Sequence, residues 1–235
     1  MRIFGNIRVR INFLVSLPVT IYFNFKHFPF RQAIKLPVFL CMPKILGKGH
    51  YSIEGAVRTG MIKLGFPLVS VYKRKGIVLE NNGKVVFKGS ACLGGDSGIA
   101  VGEKGSLIFG DKFSNLTGGK FICYHSLIFG KAVRVGWNTF ICDTDFHTLK
   151  TPDGSFHTKG FGPIKIEDEV WIGSYCKIMK NVVIPSRCTV ATGTILTKKV
   201  ECEPYSLIYN GGGIKVKQTG LYRDIEDDLV NYEET

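Results

Sequence analysis

The segment Ile141-Cys142-Asp143-Thr144-Asp145-Phe146-His147 holds the densest set of groups able to move a proton. An imidazole titrates near neutral pH, so His147 is suited to act as a general base. A base within hydrogen-bond reach of an alcohol speeds its attack by roughly 10²–10⁴-fold. Asp145 and Asp143 stand two and four positions earlier. On an extended strand both would share His147's side, where either could orient the ring and stabilise its charged form. Both aspartates equally suit turn chemistry at a corner of the chain. His157 lies ten residues on and reads as solvated. His125 reads as structural, and His27 and His50 have no evident partner. The spacing of 125, 147 and 157 does not fit a three-histidine zinc site, and no metal is expected. Seven scattered cysteines without CxxC spacing argue against a disulfide framework or a cysteine zinc site and fit a reducing compartment.

These residues must be carried by a scaffold, and its rhythm is legible. Ile166, Ile172, Ile178, Ile184, Val190 and Leu196 recur every six residues. Earlier runs keep the same step: Phe87, Leu93 and Ile99; Phe109 and Phe121, with Asn115 as a polar member between them; then Phe129, Val135 and Ile141. A period of six fits neither a helix nor a long alternating strand. It fits a chain that makes three short strands per turn of a triangular coil, or 18 residues per coil. Five coils follow: 87–104, 109–126, 129–146, 166–183 and 184–201. The gaps between them are 4, 2 and 19 residues, with the last two coils continuous. The longest gap begins at His147. With Pro152, Asp153-Gly154, Gly160 and Gly162, the segment 147–163 reads as a loop thrown out from a rigid repeat, a usual place for function.

The repeat resembles the hexapeptide pattern of the left-handed parallel β-helix acyltransferases. Glu169-Val170-Trp171-Ile172-Gly173 resembles a segment common in their sugar O-acetyltransferase branch. Asp143-Thr144-Asp145-Phe146-His147 resembles the Asp-x-Asp-x-His segment of capsular polysaccharide and lipopolysaccharide acetyltransferases. The resemblance covers about 87–217. It implies an all-β, left-handed parallel β-helix and an acetyl-coenzyme A-dependent O-acetyltransferase in surface polysaccharide biosynthesis. It also implies a homotrimer with active sites between chains, and His147 as the base. An N-acetyltransferase of an amino sugar and a non-catalytic β-helix binding subunit are the alternatives. In the family the donor lies in the groove between adjacent β-helices. Lys198, Lys199, Lys215 and Lys217 would then face its phosphates, and Ala191, Gly193 and Thr194 would admit the pantetheine arm. Trp171 would cover part of the groove or pack at a corner. Where the family has an Ala-Gly-Asn-Pro-Ala-like segment, this chain has Tyr209-Asn210-Gly211-Gly212-Gly213, without the proline.

The 235 residues carry a net charge of +12. Residues 1–84 hold 14 Lys and Arg against Glu54 and Glu80, whereas the remainder is balanced. Three regions are expected: a basic N-terminal region 1–86 leading into the solenoid, the β-helix 87–201, and a C-terminal segment 202–235 with an acidic tail from Leu221. The apolar stretch Ile11 to Phe23 follows Arg2, Arg8 and Arg10 but is not followed by a small-x-small cleavage site, so a cytoplasmic protein is expected. No run of 18 apolar residues is present. Basic charge interleaved with Phe and Tyr makes peripheral membrane contact through residues 1–50, at the inner face, attractive. A sugar, nucleotide-sugar or lipid-linked glycan is the expected acceptor. No nucleic-acid-binding signature is found.

Overall fold

The computed structural model describes residues 7–69 and 76–210, apart from the Arg8 side chain. Lys215, Lys217 and the acidic tail lie outside the described residues. Three parallel sheets of eight, seven and six strands run along the described chain. Successive strands go to different sheets, and from the fourth strand to the twentieth each pairs with the strand three places earlier, the topology of a three-sided parallel β-helix.

Coil register follows the hexapeptide rhythm. Leu93 stands beside Asn115, Asn115 beside Val135, Val135 beside Ile172 and Ile172 beside Val190, offsets of 22, 20, 37 and 18. These are the 18-residue coil plus the gaps of 4, 2 and 19. Inward side chains therefore stack in columns. Ile53, Phe87, Phe109, Phe129, Ile166 and Ile184 form one, and Leu79, Ile99, Phe121, Ile141, Ile178 and Leu196 another. All twelve are buried. The rings of Phe87, Phe109 and Phe129 lie 5.4 and 5.5 Å apart and stacked. Asn115 fits the apolar column because its amide is satisfied there. It accepts from Ser97 Oγ at 2.7 Å and donates to the Gly136 carbonyl at 3.2 Å. One corner column places Lys112, Ala132, Glu169, Arg187 and Tyr205 in the left-handed conformation, with φ from 57° to 66°. The stacked coils hold these strained corners in place.

The solenoid is longer than the period indicates. Its first strands are Val38–Leu40, Pro43–Leu46 and His50–Ile53, and they open the same three sheets. The expected boundary at residue 87 is therefore too late, and more than five coils are present. The reason is coil length: Val38 faces Ile62 and Ile62 faces Ala91, offsets of 24 and 29 that no six-residue count detects. At the other end Leu207–Ile208 pairs with Thr189–Val190, so the winding also passes residue 201.

Three short helices close the N-terminal end: α1 (Ile7–Val15), α2 (Leu17–His27) and α3 (Phe30–Ala33). The open edge strand Val38–Leu40 presents backbone N–H groups that need acceptors. A row of polar side chains at four-residue spacing supplies them. Val38 N–H donates to Asn24 Oδ1, Leu40 N–H to Thr20 Oγ1, and Met42 N–H to Ser16 Oγ, at 3.1, 3.2 and 2.8 Å. Ser16 and Thr20, which interrupt the apolar stretch Ile11 to Phe23, thus belong to the cap of the first coil.

Candidate active site

The 19-residue gap is an ordered β-hairpin excursion. Antiparallel bridges join Thr144 to Phe161 and Lys150 to Phe156. The His157 amide donates to the Leu149 carbonyl at 2.7 Å, and Gly154 turns the tip at φ 86°. The foot closes where Gly162 N–H donates to the Asp143 carbonyl at 3.0 Å. The excursion therefore leaves the coil at Thr144, three residues before the expected start. Aromatic contacts hold the foot to the coil below. Phe146 meets Tyr124 edge-on at 4.9 Å, and Phe161 meets His125 at 5.0 Å. His147 sits half-buried on the outgoing arm, just past that foot.

The two aspartates stand in different surroundings. Asp143 is buried, and its carboxylate accepts the backbone N–H groups of Tyr124 and His125 at 2.7 and 2.8 Å. Burial pushes its pKa above the ordinary carboxylate value, partly offset by these amides. Asp143 is thus a corner cap. Asp145 is exposed and its carboxylate pairs with the Lys180 ammonium. Between Asp145 and His147 the chain is not an extended strand, because Phe146 takes φ 61°. Lys180 was not among the expected site residues. The register Cys142 beside Met179 places it one coil on from Asp143, so an offset of 37 would have found it. His157 is exposed on the hairpin. Among the described residues, no three metal-ligating side chains come together.

The residues expected to meet an acyl donor fall in separate places. Lys198 and Lys199 line a cleft of about 560 Å³ with Ile195, Tyr209 and Asn210 at the C-terminal end of the described solenoid. Ala191 and Gly193 form the adjoining corner, where Thr194 N–H donates to the Ala191 carbonyl at 3.2 Å. Gly193 has φ 77° and open space where a Cβ would stand. Thr194 is buried inside the coil, so its side chain is not available to a ligand. Trp171 is 58% exposed and lies between Arg134 and Thr189 in register, on the sheet that ends in Leu207–Ile208. It lines a second cleft with Ser114, Leu116 and Arg134. The two clefts share no lining residue.

No protein-family model and no curated protein matches the chain. The chain is similar to several solved structures, two of which follow. One is the polysialic acid O-acetyltransferase OatWY, at 18% identity and TM-score 0.33, covering 75% of this chain and 80% of that one. The other is the polySia-specific acetyltransferase NeuO, at 15% identity and TM-score 0.37, covering 67% of this chain and 79% of that one. At this level of likeness no residue's role carries over from either protein.

Proposed function

We propose that this chain is an acetyl-coenzyme A-dependent O-acetyltransferase acting on a sugar hydroxyl in surface polysaccharide or lipopolysaccharide synthesis, with His147 as general base. The observation that carries the reading is the hairpin itself. The longest departure from the 18-residue coil holds a half-buried imidazole at an aromatic-anchored foot. Burial of an imidazole edge on a projecting arm serves no column of the core. It does suit a base that must keep its orientation while one face meets substrate.

In this mechanism His147 accepts the proton of the acceptor hydroxyl as its oxygen attacks the thioester carbonyl. A C–O bond forms, the C–S bond breaks, and the imidazolium returns its proton to the departing thiolate. Asp145 and Lys180 act as a positioning pair that fixes the arm on the next coil. Lys198 and Lys199 hold the donor's phosphates in the C-terminal cleft, beside the open corner at Gly193. The working form is a cytoplasmic homotrimer, in which a neighbouring chain supplies the other wall of each donor groove and brings a Trp171-type face to it.

The test follows release of free thiol from acetyl-coenzyme A in the presence of pooled sugars and polysaccharides. Five of the seven cysteines are buried, so background labelling is confined mainly to Cys92 and Cys202. Acceptor-dependent release by the wild type, lowered by at least 10²-fold in His147→Ala, is the expected result. Equal rates in the two proteins would remove His147 from the chemistry.

A further inference from the structure

We propose that the N-terminal helical cap is a docking face for an anionic lipid surface. The helices are not loosely attached. Ser16, Thr20 and Asn24 bond the edge strand of the first coil, and Phe23 packs edge-on against Tyr51 at 4.9 Å. On α1, Val9 is buried and Phe13 packs on Phe39 at 4.9 Å. This anchoring fixes which faces look outward, and those faces are apolar. Ile7, Ile11, Leu14 and Val15 recur at the spacing of one face of α1, and all are exposed, Leu14 at 62%. On α2, Tyr22 and Phe25 are exposed, and Phe30 of α3 is 70% exposed with its ring 6.1 Å from that of Phe25. A stable monomeric surface does not ordinarily carry this many large apolar groups together.

Charge selects the occupant. Residues 1–53 contain eight Lys and Arg and no Asp or Glu. Arg10, Lys26, Arg31 and Lys35 are exposed among the apolar groups, with Lys26 Nζ 5.6 Å from the Tyr22 ring. Two such caps would repel each other, so a second copy is disfavoured. An interface of lipid headgroups and acyl chains takes both the cations and the aromatic groups. Among the described residues no helix is long and apolar enough to cross a membrane, so the contact lies in the interfacial plane. This inference does not depend on the transferase reading.

The experiment is flotation of the full chain with phosphatidylcholine vesicles, with and without phosphatidylglycerol, at low and high salt. Two variants accompany it: Leu14→Ser/Phe25→Ser/Phe30→Ser and Lys26→Glu/Arg31→Glu/Lys35→Glu. Circular dichroism and light scattering confirm fold and mass. Flotation with anionic vesicles only, weakened by salt, is expected. Each cation lost should lower partitioning by about fivefold, and the charge-reversal variant should not float at all. The apolar variant should lose binding with its fold intact. No flotation of the wild type, or flotation indifferent to both variants, overturns the proposal. So does a change in oligomeric mass in the apolar variant without vesicle binding in the wild type, which would make the face a contact between copies.

Discussion

Asp143 and His147 are four residues apart and differ in burial, Asp143 being buried and His147 half-buried. Asp143 spends both carboxylate oxygens on backbone amides of the preceding coil. Removing those acceptors in Asp143→Ala should destabilise the protein by about 1–3 kcal/mol, read as a lower melting temperature, because two buried donors lose their partner. Its raised pKa gives a second readout. The folded state holds the Asp143 proton more tightly than the unfolded chain does. The stability this contributes is full below the ordinary carboxylate value and is lost as pH rises through the raised value. Asp143→Asn cannot titrate. Across that window the melting temperature of the wild type should therefore fall relative to the variant as pH increases; a constant difference would contradict the burial argument. The motif made the segment conspicuous but could not tell a corner cap from a half-buried imidazole on a projecting arm. That depended on one left-handed residue, Phe146, and on which amides lay a coil away.

At the level of elements, the hexapeptide period was enough to give coil register from Phe87 to Leu196, because every inward position is a volume that neighbouring coils must share. The Phe87–Phe109–Phe129 ladder makes this testable. Phe109→Ala should cost about 3–5 kcal/mol in denaturant unfolding, since a stacked ring above and below cannot collapse into the space. The first coils were illegible for the complementary reason. Their strands pair as faithfully, but connections of unequal length hide the period, and Gly65 adds a bulge between Leu64 and Phe66. The helical cap was hidden too. Ser16 and Thr20 look like interruptions of an apolar stretch until the edge strand that needs their oxygens is in place.

Over the whole molecule, the donor residues define what a single chain lacks. Trp171 and Lys198–Lys199 line two clefts that share no residue. If chains pack side by side, a groove between two of them can use both. A mass of three chains is therefore expected by light scattering, and a stable monomer with full transferase activity would contradict the trimer. Trp171→Ala should raise the KM for acetyl-coenzyme A more than it lowers kcat if the indole lines that groove; an unchanged KM would return Trp171 to a packing role. The basic cap at one end and the hairpin partway along would then set the acceptor's chemistry close to a charged surface.

In the proposed reaction His147 removes the acceptor's proton. The most direct test of this step is transfer of isotopically labelled acetyl groups from coenzyme A to polysaccharide, comparing wild type with His147→Ala and His147→Gln at matched folding. Label in the polysaccharide with the wild type, and its loss by at least 10²-fold in both variants with donor binding retained, is the result predicted. Undiminished labelling by either variant would contradict it.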